Sequence, residues 1–138
     1  MKQALFAGDV NVDIIMGGLA SFPVPDREIT CRTFDVVMGS SAVITDAAYS
    51  CLGGNASLAG LAGNDSYGNF MMNGLKKLGI GTYLVKRSST CKTGITLNLI
   101  HGRERTQVTF PGTIAEFDGK WITGNKLSRF NHIHLAGP

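Results

Sequence analysis

The sequence predicts an α/β fold, a largely parallel sheet flanked by helices, with one small two-faced β element set into it. Three observations carry the prediction. Short apolar runs of strand length alternate with stretches of helical spacing, which is the pattern of β-α-β units. Glycines sit where two helices should stop, at Gly53 and Gly79. A strictly alternating hairpin over 93–111 then interrupts the α/β order.

The first element reads as one short, mostly buried strand over Phe6–Ile15, ending near Met16-Gly17-Gly18. Asp9, Asn11 and Asp13 occupy alternate positions in it and share one face if the run is extended. An aspartate is costly to bury without partners. Two acids and an amide beside Val10, Val12 and Ile14 therefore point to a polar ligand or a tight hydrogen-bond network, the alternative being that Asp9 or Asn11 fixes a turn. From Leu19 to Met38 the text changes, with Pro23, Pro25 and an alternating run Glu28–Phe34 that predicts one or two short exposed strands.

Gly39-Ser40-Ser41 opens a helical stripe at 44, 47, 48, 51 and 52, with Ser40 or Ser41 placed to cap the first turn. Either this is a simple capped start, or backbone N–H groups and hydroxyls there face a ligand at the positive helix end. Ala56–Ala62 predicts a strand of small residues, and Gly63-Asn64-Asp65-Ser66 a turn with an acceptor for the next helix. Tyr67, Phe70, Met71, Leu75 and Leu78 mark a core-facing helical stripe, and Tyr83–Lys86 a brief strand. In the hairpin, Ile95, Leu97 and Leu99 alternate with Thr96 and Asn98, the chain turns at 101–104, and Arg105–Phe110 returns to Pro111-Gly112. One apolar and one polar face predict a sheet covered on one side, the kind of insertion that serves as a lid or an oligomer contact. A short helix or irregular connection around Trp121 precedes a last strand, Phe130–Leu135, ending at Gly137-Pro138.

At 138 residues the chain is one domain with room for a core, and 43% hydrophobic content with 17% charge describes a globular protein. A net charge of +3, spread thinly, gives no nucleic-acid footprint, and Lys86-Arg87 with Lys92 reads as a solvated loop. Cys31, Cys51 and Cys91 are far apart and odd in number, which argues for free thiols in a reducing compartment and against a zinc site. His101, His132 and His134 lack a metal pattern. No signal peptide or apolar span is legible, so no membrane partner and a cytoplasmic home are expected.

Taken in order, these pieces resemble a known family. Gly8-Asp9-Val10-Asn11-Val12-Asp13, the Gly39-Ser40-Ser41 helix start closing in Leu52-Gly53, and Gly63-Asn64-Asp65-Ser66-Tyr67-Gly68 are the first matches. Lys77-Leu78-Gly79-Ile80, Thr93-Gly94, Glu104-Arg105-Thr106, Phe110-Pro111-Gly112 and His132–Gly137 follow at matching spacing. The chain resembles the N-terminal half of a ribokinase-like (PfkB-type) carbohydrate kinase over essentially its whole length. The resemblance implies a three-layer α/β fold with a small β-sheet lid, formed by segments 19–38 and 93–111, through which a homodimer is expected. It implies transfer of the ATP γ-phosphate to a sugar or nucleoside hydroxyl, with ATP and Mg2+ as cofactors of the full-length protein. The family's substrate contacts map onto Asn11, Asp13, Gly39, Ser40, Thr96 and Asn98.

Two departures from the family stand out. Ser40 replaces a second glycine, and Ile44 stands where the family usually has an asparagine. The catalytic aspartate with its Gly-Ala-Gly-Asp anion hole has no counterpart in the 138 residues. The expectation is a fragment that holds the sugar-binding half and is inactive alone, with His132–Leu135 left as an unpaired apolar edge and the isolated chain oligomeric or poorly stable. Two rivals are a non-catalytic binding or dimerisation module of this fold and a dehydrogenase-type nucleotide domain; the latter is disfavoured because no GxGxxG follows the first strand.

Overall fold

A computed structural model describes residues 3–137; Pro138, named in the predicted ending, lies outside the described residues. Eight strands and four helices follow in the order β1 (Gln3–Gly8), β2 (Asn11–Gly17), β3 (Thr33–Met38), α1 (Ser41–Cys51), β4 (Asn55–Gly63) and α2 (Ser66–Lys77). The chain continues with β5 (Gly81–Ser88), β6 (Gly94–His101), β7 (Glu104–Phe110), α3 (Thr113–Glu116), α4 (Gly124–Leu127) and β8 (His132–Ala136). The strands form two four-stranded sheets, ordered β5-β4-β1-β8 and β3-β2-β6-β7.

The first sheet is parallel throughout. Its central strands are apolar on both faces, as burial under helices requires. Ala4, Phe6, Ala56, Leu58 and Ala62 meet Ala42 and Val43 of α1 and Met71 and Leu75 of α2 in the main core. The opposite face, Leu5, Ala7, Ala59 and Leu84, is covered by Ile122, Leu127 and Phe130. Helices, sheet and the 117–130 segment make three layers. Gly53 and Gly79 end their helices with φ +87° and +73°, as the sequence predicts.

The expected single strand over Phe6–Ile15 is two strands in two sheets. β1 ends at Gly8, and β2 begins at Asn11 after a crossing at Asp9-Val10. Gly8, paired with Ala136 at the end of β1, has no room for a side chain: a Cβ there would overlap the Ala136 carbonyl of β8. Asp9 therefore leaves the face that Asn11 and Asp13 share. The exposed excursion also differs, since only Thr33–Met38 is a strand and Glu28–Arg32 is not. Extended residues need a partner, and β2 stops at Gly17, leaving Arg32 N–H with a single bond to the Gly17 carbonyl (2.8 Å).

The second sheet is two-faced. Val12, Ile14, Val36 and Met38 turn their apolar sides to the main core. At its edges Phe34, Val108 and Phe110 remain more than half exposed, at 59%, 58% and 51%. β8 pairs only with β1 among the described residues and leaves Leu135 78% exposed. No helix among the described residues is long and apolar enough to cross a membrane.

One acid lies inside the main body without adequate partners. Asp46 on α1 is fully buried, its Oδ2 unpaired, with only Ser50 Oγ near its Oδ1 at 3.5 Å. Burial, weakly opposed by Ser50, pushes its carboxyl up to about 6. A folded-state value above the unfolded one makes its contribution to stability complete below about 3.8 and lost as pH rises through about 6. Asp46→Asn is therefore expected to be more stable than the parent at pH above 7, by roughly 1–3 kcal/mol, with the difference vanishing near pH 4. Urea unfolding of both proteins across that range checks it; a constant difference would refute the linkage.

Candidate functional site

The site grows out of the crossing between the sheets. Asn11 and Asp13, two apart on β2, project from the same face, and Asn11 Nδ2 donates to Asp13 Oδ1 at 3.1 Å. Asn11 is buried and Asp13 half-buried. Burial raises the Asp13 carboxyl above its ordinary value, against smaller lowering effects from the Asn11 amide and the Arg105 charge. Burial alone raises Asp9.

Gly39 closes the site from the end of β3, its N–H donating to the Asn11 carbonyl at 2.9 Å. A Cβ at Gly39 would lie 2.5 Å from Asp13 Oδ1 and 2.8 Å from Asn11 Nδ2. The missing side chain is thus what gives the carboxylate its room. Ser40 does not cap α1 with its side chain, contrary to the expectation; its hydroxyl donates to the Asp9 carbonyl at 2.6 Å and clasps the crossing. It holds φ 77°, ψ 134°, a region that suits glycine. Ile44 is exposed on the first turn of α1.

Strand register brings Thr96 and Asn98 to the same polar face. β6 runs parallel to β2 with Asp13 opposite Thr96 and Ile15 opposite Asn98. Thr96 Oγ1 lies 3.1 Å from Thr109 Oγ1, and Asn98 Oδ1 accepts from Gln107 Nε2 at 2.8 Å. The six expected positions therefore fall into two groups: Asn11, Asp13, Gly39 and Ser40 cluster at the crossing, while Thr96 and Asn98 line the sheet beyond Asp13. Gln107 and Thr109 were not singled out from the sequence, although their alternation in β7 carries the same signal as Thr96 and Asn98.

Asp65 is the other group that sequence reading undervalued. It caps α2 as expected, accepting from Gly68 N–H at 2.8 Å, but it also binds Thr93 N–H and Thr93 Oγ1, each at 2.8 Å. Burial is the largest influence on its carboxyl and pushes it up, but these hydrogen bonds and the Arg87 charge together hold it below its ordinary value. Thr93 immediately precedes β6, so one carboxylate ties the start of α2 to the root of the second sheet.

Comparison with known proteins decides the family. The pfkB family carbohydrate kinase profile matches residues 1–137. The chain belongs to the pfkB family of carbohydrate kinases. Solved structures share its fold. A fructokinase from Xylella fastidiosa with bound ATP aligns with TM-score 0.79 and 22% identity over 97% of this chain and 41% of its own. A nucleoside kinase from Methanocaldococcus jannaschii gives 0.82 and 20% over 98% and 44%, and a ribokinase from Cryptococcus neoformans var. grubii in complex with ADP gives 0.76 and 21% over 98% and 40%. This pfkB-family chain thus spans about two fifths of the length of these structures. No curated protein matches it.

Replacing Asp65 by Asn would set a donor against Thr93 N–H and leave it unpaired. Asp65→Asn is expected to cost about 1–3 kcal/mol of stability, read by urea unfolding.

Proposed function

We propose that the chain is the sugar-gripping part of an ATP-dependent kinase acting on a sugar or nucleoside hydroxyl. The observation that carries the reading is the Asn11–Asp13 pair facing the space that Gly39 leaves without a side chain. A carboxylate accepts hydrogen bonds from two adjacent hydroxyls, which a neutral acceptor does less strongly. Asn11 holds the Asp13 carboxylate in place, Ser40 fixes the crossing, and Thr96 and Asn98 with their partners line the far side. In this reading the second sheet, with segments 19–38 and 93–111, is the lid, and residues 1–138 are the N-terminal part of the kinase domain. The exposed Phe34, Val108 and Phe110 support pairing of that sheet with a second copy.

The ATP- and ADP-bound neighbours support nucleotide use by the parent kinase. Among the described residues no three His, Cys, Asp or Glu side chains are grouped as they would be to hold a metal ion. No Gly-Ala-Gly-Asp occurs in the sequence. Phosphoryl transfer is mostly positioning and charge stabilisation, and the groups for it are assigned outside this chain. The chain alone is expected to be inactive.

Calorimetric titration with sugars and nucleosides tests the reading. Asp13→Asn is expected to weaken binding at least tenfold, since each charged hydrogen bond is worth about 1.5–3 kcal/mol. Gly39→Ala should do the same by filling the space beside Asp13. Binding in the parent should weaken on acidification, because the carboxylate is the acceptor and burial moves its ionisation above 3.8; Asp13→Asn should lose that dependence. The absence of heat with any polyol or nucleoside would refute the proposal.

A further inference from the structure

α1 turns an acid toward the first sheet and apolar residues away from it. Its inward side is Ala42, Val43 and Asp46, all buried. Ile44, Ala48, Cys51 and Leu52 point outward, at the i, i+4, i+7 and i+8 spacing of one helix face, with Ile44 57% and Leu52 89% exposed. Most of the apolar stripe that the sequence predicts for the core is thus on the outside, and Asp46 occupies the middle of the buried side.

The elements packed on α1 give Asp46 no counter-charge. Gln3–Gly8 of β1 and Asn55–Gly63 of β4 contain no ionisable side chain, and Met71 and Leu75 of α2 are apolar. β8 brings His132 and His134 to the α1 side, where the His134 ring packs on Phe6 at 5.4 Å. Tyr49 of α1 packs on the same ring at 5.5 Å. None of the three bonds to Asp46, whose Oδ2 has no partner. Asp9 stands beyond the start of the helix, tied to Ser40 through its carbonyl.

A second conflict sits at that start. Ser40 keeps φ 77°, ψ 134° while its hydroxyl holds the Asp9 carbonyl, and its own carbonyl accepts from Ile44 N–H at 3.0 Å. Gly39 N–H donates to the Asn11 carbonyl, so the first turn of α1 is coupled to the strand that carries Asp13. One turn of α1 about its axis would return Asp46 to water, cover the outward apolar residues and release Ser40. Local pattern and packing disagree here, and a single movement resolves the disagreement.

We propose that α1 has two seatings on the first sheet, chosen by the charge of Asp46. Neutral Asp46 keeps the helix seated and holds Gly39 and Ser40 beside Asp13; charged Asp46 lets the helix turn and loosens the site. The link to the site rests on the reading of Asp13 as the ligand-binding acid, whereas the helix switch does not. A turned Asp46 regains its ordinary value of 3.8, while the seated one titrates at about 6. The seated form is therefore fully favoured below 3.8 and loses its advantage, by about a hundredfold, as pH rises through about 6.

Hydrogen exchange on the 138-residue chain, read element by element from about pH 4 to about pH 7.5 against intrinsic rates, tests the switch. Opening of α1 relative to β1 and β4 should rise about a hundredfold in the parent and stay flat in Asp46→Asn. Leu52→Gln removes apolar surface that only the turned helix covers and should reduce the rise; His134→Gln should keep it. A rise shared equally by α1, β1 and β4 would mean that Asp46 acts through global unfolding alone and would overturn the proposal. So would a rise that disappears in His134→Gln. Calorimetry with fructose and with adenosine tests the link. Asp46→Asn should bind at least about threefold tighter than the parent near pH 7.5, with the two equal near pH 4. Equal affinity at both pH values, with binding still lost in Asp13→Asn, would break the link and leave Asp13's role intact. If neither compound bound, or Asp13→Asn changed nothing, the reading of Asp13 would fall and the link with it.

Discussion

The site depends on one constraint, the passage of the chain from the first sheet to the second between Gly8 and Asn11. β1 is buried in a parallel sheet, and a strand there must be apolar on both faces. A carboxylate five residues further along the same strand, as Asp13 would be, would be desolvated inside that sheet. The crossing removes it. Val10 stays in the main core, while Asn11 and Asp13 emerge on the polar face of another sheet. Ser40 holds this passage from the other side through the Asp9 carbonyl. Its backbone conformation costs on the order of 1–3 kcal/mol for a residue with a Cβ, and the hydroxyl's bond offsets about 0.5–1.5 kcal/mol.

Two acids raised by burial show why surroundings decide a role. Asp46 lies wholly inside, with one weak partner and an orphaned oxygen, so its charge has nowhere to be used. Asp13 is half-buried, oriented by Asn11 and open where Gly39 has no side chain. Charge on Asp46 works against folding; charge on Asp13 is available to a ligand. The same carboxyl chemistry yields a liability in one position and, in the function we propose, a recognition group in the other, and the difference is access to donors.

The parallel sheet, both long helices and the two-faced hairpin were legible because each rests on local periodicity and punctuation. Gly53, Gly79 and Asp65 end or begin helices through short-range geometry that a sequence displays directly. The break at Asp9-Val10 was not legible, because the strands that pair on either side of it, β8 with β1 and β6 with β2, are distant in sequence. Ser40 was misread as a helix cap for a related reason: its hydroxyl has a better partner in Asp9, distant in sequence. Asn11, Asp13, Thr96 and Asn98 could be picked out by alternation, but Gln107 and Arg105 gain their meaning only from cross-strand register. Of the one or two strands expected from the Glu28–Phe34 alternation, only Thr33–Met38 forms, because alternation predicts which face a residue takes and not whether a partner strand exists.

The second sheet joins the main body at four crossings, and hydrogen bonds tie them in pairs. Before β2 and after β3, Asp9 is held by Ser40. Before β6 and after β7, the Lys92 carbonyl accepts from Thr113 N–H at 2.9 Å, and Gly94 N–H donates to Thr113 Oγ1 at 3.3 Å. Within the sheet, Asp13 and Thr96 sit in register on adjacent strands, so no rotation of the sheet as a whole can separate them without breaking the ladder. Any displacement relative to the first sheet has to be absorbed at the crossings, where Gly8, Gly39, Gly94 and Gly112 already stand. Asp65 then matters beyond capping α2, because its three bonds fix the root of one crossing to a helix of the main core. The polar face is therefore a preassembled surface carried as a unit.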